Sequence, residues 1–137
     1  MSDTISNNKF NKPLINFMCS LNTLHIYTSV LVYSKTSFLN SIPSILLSIT
    51  SYMYWSNPKN NSIMTIDETM AHFNVVYHVY NSFHFNRELP VILIVYFMIF
   101  FYTYSKYFVT INNNELSIFS HSIVVILGNA AAIIVYY

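Results

Sequence analysis

The chain has 137 residues, 54% apolar, 18% aromatic and 8% charged, with a formal net charge of +1, one cysteine and one glycine. Soluble domains carry about 25% charged residues, so an ordinary water-soluble domain is excluded, as are a disordered chain, by the large apolar content, and a disulfide scaffold, by the lone Cys19. The six basic residues stand singly and form no patch, so no nucleic-acid partner is expected.

Residues 1–12 (MSDTISNNKFNK) form a polar N-terminal tail. The first apolar segment, Leu14 to Tyr33, is too long for a signal-peptide core and is followed by no small-x-small cleavage site, so it reads as an uncleaved anchor bounded by Lys35. The second runs from Phe38 to Trp55 and stops at Ser56-Asn57-Pro58-Lys59-Asn60-Asn61, the clearest turn in the chain. The third, Ile63 to Phe85, is the least apolar and holds Asp67, Glu68 and three histidines. The fourth, Pro90 to Val109, opens with proline, whose missing N–H costs nothing in a first helical turn. The fifth, Leu116 to Tyr137, follows the turn Asn112-Asn113-Asn114.

Each segment approaches the roughly 20 apolar residues that span a bilayer core, and none alternates as a barrel strand does. The expected fold is all-α. Residues 13–137 form a single multi-pass transmembrane bundle of five helices, or of four if residues 63–85 lie in the interface. Short loops make chain neighbours antiparallel. With five spans, Lys9, Lys12, Lys59 and Lys106 share one face and Lys35 and Arg87 the other, which predicts a cytosolic N-terminus. The sequon Asn60-Asn61-Ser62 then faces the cytosol and stays unmodified. The abundance of Asn, Ile, Tyr, Phe, Lys and Ser, with little Ala, Gly or Arg, is the bias of an AT-rich genome, as in many protist parasites and large DNA viruses.

Polar groups at membrane depth are costly and call for a function. At about 3.6 residues per turn, Asp67, Asn74, His78 and Asn81 fall within about 60° of arc, a polar stripe that should face the bundle interior. It either hydrogen-bonds Ser, Thr and Asn on neighbouring helices or lines a ligand site or a path. His72, His78 and His84 are six residues apart and so do not make the same-face pair of a helical metal site. His84, beside Arg87, is expected in solvent and His25 in the core. Asp67 and Glu68 are adjacent, point to different sides, and suit the dipole of the third helix near its start. Depth gives a second grouping. At about 1.5 Å per residue, Ser51, Asp67 and His121 lie about 6–8 Å from segment ends that share the cytosolic face.

Ser51-Tyr-Met-Tyr-Trp55, then Asp67, then Ser117-Ile-Phe-Ser-His121 resembles the motif set of the superfamily of alkaline ceramidases, progestin/adiponectin-type receptors and lipid-remodelling GPI-anchor hydrolases. That set is Ser-x3-His, an Asp on the next helix and His-x3-His on the last. The resemblance implies a lipid amide or ester hydrolase in which three histidines hold zinc while the Ser and Asp serve the activated water. It makes Ser51, Asp67 and His121 the candidate catalytic residues and His121 the one candidate zinc ligand. Trp55 and Ser117 stand where the other two histidines should be, and five spans stand where the family has seven.

The reading favoured by the residues is a structural or interaction protein of a membrane, with the bilayer as partner and no catalysis or cofactor, because packing, anchoring and capping account for every polar side chain. The alternatives are a degenerate lipid hydrolase with a lipid ligand and, at its fullest, zinc, or a small channel or transporter lined by residues 67–81.

Overall fold

The structure, a computed structural model, describes residues 12–58 and 60–137. The expected tail up to residue 11, Lys9 within it and the turn residue Lys59 lie outside the described residues. What is described is all-helical, as expected: α1 (Lys12–Leu21), α2 (Thr23–Lys35), α3 (Phe38–Ser56), α4 (Asn61–His84), α5 (Glu88–Thr110) and α6 (Asn114–Tyr136).

The first segment, expected as one helix, is divided at Asn22. There the Thr23 hydroxyl donates to the Ser20 carbonyl at 2.7 Å, and the His25 amide reaches the Asn22 carbonyl at 3.1 Å, three residues back. A tightened turn and a hydroxyl competing for a backbone carbonyl together interrupt the regular ladder. Asparagine opens α4 and α6 and closes α4 and α5. Asn60 accepts the amides of Ser62 and Ile63 at 3.0 and 3.2 Å, and Asn113 accepts that of Leu116 at 3.2 Å. Asn86 and Asn112 take the left-handed conformation, with φ of 53° and 57°, just after α4 and α5. In each case the next amide reaches back five residues, Arg87 to Ser82 at 2.8 Å and Asn113 to Phe108 at 2.9 Å. Helices usually stop this way on glycine. With one glycine in the chain, asparagine, the residue that best tolerates this region after glycine, takes the role.

The α1–α2 segment packs on α3 and α6, α3 on α4, α4 on α5, and α5 on α6. The segments therefore close a ring in chain order, and α6 also touches α4. Two apolar clusters hold it, Met18, Trp55, Ile118 and Val125 near the start of α6, and Val32, Val91, Ala131, Val135 and Tyr136 near its end.

Most of the remaining interior is polar. Among the described residues 17 polar or charged side chains are buried against 12 apolar ones, while 31 large apolar side chains are exposed. On α3 the buried row is Ser41, Ser44, Ser48 and Ser51, and on α4 it is Asp67, Asn74, His78 and Ser82. The exposed faces carry Phe, Tyr, Ile and Leu. By length and composition, α5 and α6 are the two described helices fit to cross a membrane, where five had been expected. The reason lies in the other segments. α2 is only 13 residues long, and the inward hydroxyls of α3 and the charges of α4 lower the average of helices whose outer faces are apolar.

Candidate functional site

A cavity of about 130 Å³ lies inside the ring, and Ser51, Asp67 and His121 all line it. Ser51 is carried there by the serine row of α3, and Asp67 by the buried row of α4. Because these helices are joined by a short turn, equal distances from the turn place the two residues opposite one another. The Ser51 hydroxyl donates to Asp67 Oδ1 at 2.5 Å and the Thr50 hydroxyl to the same oxygen at 3.2 Å. His121 meets Trp55 edge to face, with ring centroids 5.4 Å apart. Depth matching thus brings three residues to one cavity. It links two of them directly, while the third stands against the indole.

The zinc implied by the resemblance can be tested on this geometry. A catalytic zinc needs three protein donors and an open position. Among the described residues no three His, Cys, Asp or Glu side chains gather to hold a metal. Trp55 offers His121 an aromatic face in place of a donor, and the Ser117 hydroxyl is 3.2 Å from that of Ser105, an α6–α5 link. The residues present do not fit zinc.

Two further histidines, His25 and His72, also line the cavity. His25 is buried as expected, but it faces this space. The Ser105 and Ser117 pair and the group at the cavity edge were not anticipated. There Glu68 makes an ion pair with Lys106 and accepts a hydrogen bond from the Tyr102 hydroxyl at 3.2 Å. His72 places its ring against that of Tyr102, centroids 6.4 Å apart. The sequence assigns Glu68 only a helix-dipole role. Its likeness in depth to Lys106, one to two turns from the same face, was the available signal.

Farther along α4, Ser44 lies 3.4 Å from both Asn74 Oδ1 and His78 Nε2, and the Tyr136 hydroxyl is 3.4 Å from His78 Nδ1. The stripe is thus buried at Asp67, Asn74 and His78. Asn81 is only half-buried and donates to its own helix, to the Tyr77 carbonyl at 2.8 Å, while Ser82 takes the inward place. A second cavity beside Asn74 and His78 measures about 10 Å³, room for about one water. His84 is exposed, as expected, and meets the Tyr80 ring edge to face. No family model, curated protein or solved structure matches the chain.

Proposed function

We propose that this chain is a multi-pass integral membrane protein whose role is structural or interactive, with the bilayer as its first partner and the N-terminus on the cytosolic side. One observation carries the reading: polar side chains face one another inside the ring while 31 large apolar ones face outward among the described residues. Water would penalise that exposed area at about 25 cal/mol per Å², whereas lipid leaves it at no cost and makes the buried hydroxyls, amides and carboxylate the only groups that must be satisfied. The helices most fit to span support it too. Only 17% of the apolar stretch of α5 and 44% of that of α6 is buried within the bundle, whereas the core helix of a soluble protein buries most of itself. After expression, the chain is expected to stay with membranes through alkaline carbonate washing and to need detergent for extraction. Its recovery as a detergent-free monomer in buffer would overturn the proposal.

A second reading is favoured by the meeting of Ser51, Asp67 and His121 at one cavity. In it, the chain is a shortened, metal-free relative of the ceramidase-like superfamily. Detergent-purified protein would then release fluorophore from a lipid amide or ester, and Ser51→Ala and His121→Ala would each abolish the release. Equal rates in all three proteins would end this reading.

A further inference from the structure

Of the charged groups that line the larger cavity, Glu68 and Lys106 neutralise each other at its edge, with side chains 35% and 51% exposed. Asp67 is different. It is 93% buried by the complement of its 7% exposure, and it has no cationic partner among the described residues. Both hydroxyls that reach it, from Ser51 and Thr50, donate to Oδ1. Oδ2 is left to the cavity, without a hydrogen bond from the described residues and outside the set of fully enclosed unpartnered atoms.

Most of the cavity wall is aromatic and aliphatic, interrupted by three imidazoles and the Ser105–Ser117 pair. Trp55, Tyr54 and Tyr102 contribute rings, and Leu47, Val125 and Met98 contribute apolar surface. A buried carboxyl group with one open acceptor, set among ring faces, is matched by a cation that can donate a hydrogen bond and bury an apolar body. A hydrated metal ion is poorly matched, because no further carboxylate, thiolate or histidine set gathers with Asp67 among the described residues. Size sets the other limit. A dry cavity of about 150 Å³ accommodates benzene, so about 130 Å³ takes a ring or a short branched chain.

The exposed lining residues are His72 on α4 and Lys106 on α5, so the opening lies between these two helices. They are the neighbouring pair in the ring that touch sparingly, whereas α5 and α6 touch along their length. The Glu68–Lys106 ion pair and the Tyr102–Glu68 hydrogen bond cross that seam. We propose that the cavity is a binding site for a small organic ammonium ion. The nitrogen donates to Asp67 Oδ2, the apolar body rests against Trp55, and access runs through the α4–α5 seam. The site goes beyond the structural role proposed above, and a binding result leaves the membrane assignment untouched.

Trp55 is the single tryptophan and lines the cavity, so its fluorescence reads the site directly. The full chain in detergent is titrated with benzylammonium chloride and, separately, with benzyl alcohol, its uncharged counterpart. A saturable change in Trp55 emission is expected with benzylammonium. Asp67→Asn should weaken that binding by about thirtyfold or more, the loss that follows removing one charge of a buried pair, while leaving the affinity for benzyl alcohol unchanged. A second variant, Ala71→Phe, places a ring in the cavity one turn along α4 from the carboxylate, keeps its charge, and should abolish both titrations while helix content is retained. Benzylammonium binding that is equal in wild type and Asp67→Asn, or that survives Ala71→Phe, overturns the proposal, as does an absence of saturable binding to folded wild type.

Discussion

Asp67 shows how one residue can be both a cost and a clamp. Its Oδ1 is the acceptor for two hydroxyls of α3, so truncating it leaves buried Ser51 without that acceptor and Thr50 with the Leu47 carbonyl alone. Asp67→Ala should therefore destabilise the chain by about 1–3 kcal/mol, as expected for buried polar groups left unpaired. Asp67→Asn, which retains an acceptor, should lose less, and SDS-titrated unfolding in micelles separates the two. Asn112 poses a backbone question instead. At φ 57° a β-branched side chain meets its own backbone. Asn112→Val should cost about 1–2 kcal/mol, whereas Asn112→Gly should hold or raise stability in the same titration. Ser51, Asp67 and His121 were legible as a group because antiparallel helices joined by short turns keep equal depths together. Depth says nothing of direction around a helix axis, so the turn of His121 toward Trp55, and of His25 and His72 toward the same space, could be learned only from packing.

Among the elements, α3 to α6 were readable to within about two residues of their ends, and asparagine explains why. It caps α4 and α6 and closes α4 and α5, so the punctuation was written in a residue whose side chain and backbone both favour helix ends. The break at Asn22 was not readable, since Leu21-Asn22-Thr23 lies inside an apolar run with neither glycine nor proline to mark it. Burial of Asn22, with both amide atoms unpartnered, marks this as the least satisfied joint in the ring. The α5–α6 contact is the closest and rests on Gly128. A Cβ placed there would stand 3.2 Å from Met98 Cε, the mobile end of a flexible side chain. Gly128→Ala should thus be accommodated, because the methionine can yield and alanine favours the helix by about 1 kcal/mol over glycine. Gly128→Val adds bulk that the same methionine cannot clear, and should destabilise by about 1–3 kcal/mol.

At the scale of the whole molecule, the inverted distribution of polar and apolar side chains supports the proposed membrane environment, in which the number of crossings would set the topology. Five crossings put the two ends on opposite sides, so an epitope tag at the N-terminus should be reached by antibody only after the cytosolic side is opened, and a tag at the C-terminus without opening it. Four crossings, with α4 lying flat, would expose both tags together. The composition foretold the helices but overstated how many could cross unaided, because an average over α3 or α4 mixes an oily outer face with a hydroxylic or charged inner one. That mixture has a consequence for biogenesis. The Asp67 carboxylate and Asn74 amide are met by Thr50, Ser51 and Ser44 on the helix synthesised just before α4, and Ser44 also meets the His78 imidazole, whose other nitrogen faces Tyr136 of α6. In a bilayer α4 therefore has little reason to leave the translocation machinery alone and good reason to leave it as a hairpin with α3. A ribosome-bound nascent chain that lacks residues 38–56 should stall at this point of insertion, long before α5 and α6 emerge.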